Sequence, residues 1–279
     1  MPSSVSITIP HFDSPTNYEQ IVHSYSINQH IVQRTIHAYY LLNTTQQKAT
    51  SKRLVNGISV QSDNAVQLKK VYFMSNTIRI HSFPLSGHAQ RAELFANLAG
   101  IAHDVINVDL AAGEHKEAPF LALNPAGQVP VLEDGDVVIS DSNAILVYLA
   151  RKYAPAFLPL DPELEAQVQK FLSLAAGEIA FGPCAARLIT VFNAPLDADF
   201  AKATADKVLS KLEAHLIGRE FLVGDSVTIA DVAIYTYTAH APEGNVSLEA
   251  YPNVRRFLTN VEALDGFKPM ATTKAGLLA

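Results

Sequence analysis

A chain of 279 residues has room for two domains at about 100–200 residues each. Its 48% apolar and 17% charged residues can fill a sizeable core, which excludes a globally disordered chain. With 27 acidic against 21 basic residues, a nucleic acid is excluded as main partner, because that partner wants a clustered basic face.

The single cysteine, Cys184, can form neither an internal disulfide nor a Cys-rich zinc site, so no metal site is expected. A reducing, cytoplasmic setting is the corresponding expectation. No run of about 18 apolar residues is seen, so no membrane span is expected, and the first 30 residues lack the apolar run of a secretory signal.

Charge divides the chain. Residues 1–73 carry 6 Lys/Arg and 3 Asp/Glu, while the remainder carries 15 and 24. The first block is rich in Gln, Asn, Ser, Thr and His. Apart from a possible short helix at Ile31–Leu42 it has no pattern able to build a core, and it reads as a mobile extension. Met74 opens a different texture and could serve as an alternative start.

From Ile78 the periodicities sharpen. Ile78, Ile80 and Phe83 lie in a strand-like run that Pro84 stops. A helix is predicted from His88 to Ala99, with Leu94, Phe95 and Leu98 on one face and Gly100 as its stop. "HDVINVDL" reads as a second strand, and a polar loop leads through a short helix to "NPAGQVPVL". Val129–Leu132 and Val137–Ser140 flank Asp134-Gly135, a strong hairpin signal. A third helix is predicted from Asn143 to Tyr153, with Ile145, Leu146 and Leu149 facing inward. The order β-α-β-α-β-β-α makes a small α/β domain over residues 74–155, followed by a linker at 156–163.

Only helical patterns follow, so residues 164–279 read as an all-α domain. Leu164, Val168, Phe171, Leu172 and Ala175 keep a helical period, which Gly182-Pro183 is expected to end. Further helices are predicted at Asp197–Leu216 and over "YPNVRRFLTNVEAL". Thr228 and Asp231 have the spacing of a capping box between them.

An α/β unit of this order followed by helices is the layout of soluble glutathione transferases. The stretch "HKEAPFLALNPAGQVPVLEDGDVVISDSNAILVYLARKY" closely resembles their glutathione-binding half, particularly the serine-type phi and theta branches. The likeness is strong over residues 76–155 and looser to about Leu264; residues 1–73 have no counterpart. It implies a thioredoxin-like fold, glutathione as cosubstrate without a tightly bound cofactor, a small electrophilic substrate, a role in detoxification and a homodimer.

It also implies roles for particular residues. Gln128-Val129-Pro130 would carry a cis proline that exposes backbone to the cysteinyl unit. Asp141, where the family usually has the longer Glu, and Ser142 would hold the γ-glutamyl end. Read alone, Ser142 is a helix N-cap and Asp141 an acid favoured by the helix dipole, and the two readings are compatible. His115 and Lys116 would meet the glycyl carboxylate, although a His-Lys pair in a loop is also an ordinary solvated surface.

Ser86, by itself another N-cap, would orient the sulfur. Lowering a thiol pKa from ~8.5 to ~6.5 takes about 2.7 kcal/mol, within reach of one charge-assisted hydrogen bond and a helix end. His88 is a nearby competitor that reads as a helix-surface histidine. "SFPLSGHAQRA" holds no cysteine, which excludes glutaredoxin-like exchange there, and Cys184 reads as a small buried apolar residue. Phe181, Leu188 and Tyr235 are candidate electrophile-pocket residues. The resulting expectation is conjugation, with peroxide reduction as a variant; the alternative is a non-enzymatic interaction module on the same scaffold.

Overall fold

The computed structural model of the protein describes residues 77–279. The extension expected over 1–73, the helix considered at Ile31–Leu42 and Met74 lie outside them.

Strand β1 (Ile78–Ser82) runs parallel to β2 (His103–Asn107), with Ile78 opposite His103. Its other edge pairs antiparallel with β3 (Val131–Asp134), which turns back as β4 (Val137–Ser140). The order across the sheet is β2-β1-β3-β4. Period-two alternation decides which side chains of β1 are buried: Ile78, Ile80 and Ser82 face one way into the core. Arg79 and His81 face the other way, and both meet Glu133 of β3. Gly135 occupies the first of the two hairpin-loop positions at φ +62°, a value only glycine adopts without cost.

A parallel pair needs a crossover, and α1 (Gly87–Leu98) supplies it. It lies beside α3 (Ser142–Tyr153), and together they bury Leu94, Phe95, Ile145, Leu146 and Leu149 completely. Each such side chain contributes roughly 1.5–3 kcal/mol of transfer free energy. The short α2 (Ala118–Leu123) instead packs Phe120 with Val108 and Val131 in a separate, smaller cluster.

Asp161 caps α4 (Pro162–Leu174) by accepting from the Glu163 and Leu164 amides, both at 3.0 Å. The helix therefore starts inside the segment expected to be linker.

Gly182-Pro183 does not end the helix, contrary to expectation. The chain continues as a π-helical segment (Ala175–Cys184) into α5 (Ala185–Phe192). An α-helical turn would drive the proline ring against the carbonyl four residues back; the wider π turn relieves that crowding. Gly182 serves close packing rather than a stop, since a Cβ there would lie 2.8 Å from the Ala205 amide nitrogen. The span Pro162–Phe192 is apolar and long enough, by length and composition, to cross a membrane. Here its residues Val168, Phe171, Ala175 and Ile179 are buried in the core.

Helices α6 (Ala198–His215), α7 (Ile229–Ala239) and α8 (Pro252–Glu262) complete the helical half. Every residue of α7 from Ile229 to Thr238 is buried. Its start carries the expected capping box: Thr228 Oγ1 accepts from the Ala230 amide, and Asp231 accepts from the Thr228 amide at 2.7 Å.

Candidate active site

One cleft of about 720 Å³ lies between the sheet end of α1 and α3 and the helices α5 and α7. Ser86, His115, Lys116, Gln128, Val129, Pro130, Asp141 and Ser142 all line it.

Ser86 ends a tight turn, its amide donating to the Phe83 carbonyl at 2.8 Å. It is the N-cap of α1, and its Oγ accepts from the Ala89 amide at 3.2 Å. Capping uses a lone pair, so the hydroxyl hydrogen stays available to an acceptor in the cleft. A capping role and a donor role toward the cleft are compatible on this one atom.

The Val129–Pro130 bond is cis. Pro130 is buried just before β3, and the Gln128 carbonyl is tied to the side chain of Asn124 at 2.7 Å. Among the described residues, the Val129 N–H and C=O find no partner, which leaves both to a ligand's backbone-like group.

At the start of α3 the two capping roles are reversed from expectation. Asp141, not Ser142, is the N-cap: its Oδ1 accepts from the Asn143 and Ala144 amides, both at 2.9 Å. Asp141 holds φ +73°, an uncommon position for a residue with a side chain and a type of strain that gathers at functional sites. It is exposed, and among the described residues its second carboxylate oxygen has no partner, so it can accept from an ammonium. Ser142 is the first residue of the helix and is buried. Its backbone N–H is left open by the cap, a donor for a carboxylate at a helix start. Its Oγ accepts from Arg91 Nη1 at 2.9 Å and lies 3.4 Å from His88 Nδ1.

Lys116 closes a short 3₁₀ turn (Glu114–Lys116), and its ammonium donates to the Gly127 carbonyl at 3.4 Å. Gly127 sits at φ +59°, where a Cβ would lie 2.8 Å from the His115 carbonyl and 2.9 Å from Lys116 Nζ. Glycine is thus what lets the two loops approach. Among the described residues, His115 Nδ1 is buried without a partner.

Two basic residues were missed as site components. His88, expected on the helix surface, lines the cleft and stands edge-on to Tyr237 at 5.0 Å between ring centroids. Burial, with the neighbouring Arg91 charge, lowers its pKa to about 4, so it is neutral at pH 7. Arg91 is itself buried and bridges Ser142 Oγ and Asn143 Oδ1, at 2.9 Å each. Its place one turn before Leu94 and Phe95 was the available signal, because a cation in an apolar stripe must have a partner.

The far wall corrects the expected electrophile pocket. Leu188 lines it, joined by Phe192 and Tyr237. Phe181 is largely exposed, and Tyr235 is buried with its hydroxyl donating to Glu262 at 2.9 Å; neither lines the cleft. Cys184 is buried, as expected, and burial pushes its thiol pKa up.

Residues 85–152 match the family described as glutathione S-transferase, N-terminal domain, and residues 192–265 match glutathione S-transferase, C-terminal domain. Glutathione S-transferase 3 of Zea mays is 32% identical over 203 residues, covering 68% of this chain and 91% of its own. The chain belongs to the glutathione S-transferase family. Human glutathione S-transferase theta-2 is 33% identical over 62% of this chain and 75% of its own. A crystal structure of a Pseudomonas fluorescens glutathione S-transferase superposes with a TM-score of 0.66 at 30% identity, covering 70% of this chain and 99% of that one. In this glutathione S-transferase the cleft thus has one wall in each family-matched half.

Proposed function

We propose that this transferase binds glutathione in the cleft and conjugates its sulfur to an electrophile held against Leu188, Phe192 and Tyr237. The observation that carries the reading is the gathering of complementary groups in the lining of one cleft. Asp141 offers a carboxylate oxygen and Ser142 an open helix-start N–H, matching the ammonium and carboxylate on the single carbon at the γ-glutamyl end. Lys116 offers a cation on the facing loop for the glycyl carboxylate, with His115 beside it. In the same lining, Val129, flanked by Gln128 and Pro130, offers unpaired backbone to the cysteinyl unit.

Ser86 then donates its hydroxyl hydrogen to the sulfur, aided by the N-terminus of α1. The thiol proton passes to solvent, and the thiolate attacks the electrophilic carbon to form a thioether as the leaving group departs. No general base is needed. His88, neutral at pH 7, is not a proton acceptor of useful strength there. Reduction of hydroperoxides by the same thiolate belongs to this reading, as do a homodimer and a cytoplasmic location, which rest on family membership.

Retention on immobilised glutathione followed by conjugation of an aryl halide tests it. Saturable binding with turnover is the expected result. Binding without turnover across a panel of electrophiles and hydroperoxides would make the protein an interaction module instead.

A further inference from the structure

Behind the cleft, the helical half reaches back to the loop that carries Ser86. Arg187 of α5 and Glu243, 1% and 0% exposed, form an ion pair with Nε donating to Oε2 at 2.8 Å. Nη1 of the same guanidinium donates to the Leu85 carbonyl at 2.9 Å, the peptide unit that leads into Ser86. Glu243 is itself braced. His240 Nδ1 lies 2.6 Å from Oε1, and the Thr273 hydroxyl donates to Oε2 at 2.9 Å.

The backbone around this pair is tightly packed. A Cβ on Gly244 would lie 2.6 Å from the Arg187 amide nitrogen, and one on Gly276 would lie 2.6 Å from the Glu243 carbonyl. The turn bearing Glu243 is thus pressed between α5 and the C-terminal segment. A buried ion pair is weak evidence of net stabilisation, because desolvation offsets the Coulomb gain. A planar guanidinium does, however, fix two acceptors at a set angle, which a lysine ammonium cannot do.

We propose that Arg187 is the positioning residue for Ser86, and that Glu243, braced by Thr273 from the C-terminal segment, holds Arg187 in place. The helical half then sets the geometry of the sulfur's hydrogen bond. Leu188, the next residue of α5, lines the electrophile wall, so one helix serves both partners of the reaction. This proposal rests on the reading of Ser86 given above.

The test is titration of glutathione bound to the full chain, followed by thiolate absorbance, together with kcat against pH. Arg187→Lys is expected to raise the thiol pKa by about one unit, a tenfold loss of thiolate below that pKa, with little change in glutathione half-saturation. Thr273→Val, the milder variant, should shift it the same way by about threefold, and it decides the matter if Arg187→Lys does not fold. In a Ser86→Gly background, Arg187→Lys should add nothing, since both act through one hydroxyl. A folded Arg187→Lys or Thr273→Val with the wild-type titration overturns the proposal, as does a full further shift in the Ser86→Gly background. If Ser86→Gly leaves the titration unmoved, the role of Ser86 fails and this proposal with it. A shifted Ser86→Gly beside an unshifted Arg187→Lys defeats the positioning alone.

Discussion

Replacing Ser86 separates helix capping from chemistry if the substitute is chosen well. Ser86→Ala removes both the cap to the Ala89 amide and the hydroxyl that faces the cleft, and the lost cap alone costs about 0.5–2 kcal/mol of stability. Ser86→Gly removes the hydroxyl but costs the cap only a few tenths of a kcal/mol, since glycine is a tolerated N-cap. A hydrogen bond to a charged sulfur contributes about 1.5–3 kcal/mol, so its loss should return the thiol pKa upward by roughly 1–2 units. The helix end that remains supplies only about 0.3–1 kcal/mol. With saturating glutathione, the acid limb of kcat against pH should move to higher pH, with turnover at pH 7 down by about threefold for a one-unit shift and about 25-fold for two. Turnover in alkaline buffer should approach that of the wild type. An unchanged acid limb in a folded Ser86→Gly protein would refute the role given to this hydroxyl.

The remaining expectations concern Asp141, His88 and Asp231. Asp141→Asn keeps an acceptor for the Asn143 and Ala144 amides, so melting should change little while half-saturation by glutathione rises about tenfold or more; a normal value in a kinetic titration rejects the clamp. His88 has its pKa lowered to about 4, so between pH 6.5 and 4 the unfolded chain binds a proton that the folded one resists. Its contribution is complete above pH 6.5 and is lost on acidification, by up to about 3 kcal/mol. Urea unfolding at a series of pH values should show a shallower acid loss in His88→Gln, and parallel curves would reject the assignment. Asp231 accepts from the Leu222 and Thr228 amides, both at 2.7 Å, and Asp231→Asn turns one of those acceptors into a donor. A loss of about 2–4 kcal/mol in chemical denaturation is expected; a loss under half a kcal/mol would mean that the capping box is dispensable.

Local patterns made most of the α/β half legible. The alternation of Ile78 and Ile80, the stop at Gly100 and the inward positions Ile145, Leu146 and Leu149 each follow from rules spanning a few residues. The site was legible to the extent that the glutathione-binding half could be matched to a known family. What stayed hidden was set by distant contacts. Gly182 reads as a breaker until α6 is seen against it. Phe181 and Tyr235 share the composition of Phe192 and Tyr237, and only the packing of α5 and α7 decides which pair faces the cleft. The exchange of roles between Asp141 and Ser142 turns on one backbone angle, and Arg91 already occupies the Ser142 hydroxyl. Arg187 stands alone among apolar neighbours in "CAARLITVF", which announces a need for an anion but not that Glu243 would meet it.

The widened stretch Ala175–Cys184 has a consequence for everything downstream of it. Bonding five residues back instead of four takes an extra residue into the turn, and each residue of a regular helix advances it by about 100°. The azimuth at which α5 emerges is therefore written in "AAGEIAFGPC", ahead of any residue that touches the cleft. The same ten residues rewound as an ordinary helix would rotate Arg187 off the loop and Leu188 off the wall, whereas a descendant of this chain that also lost one position there would bring both back.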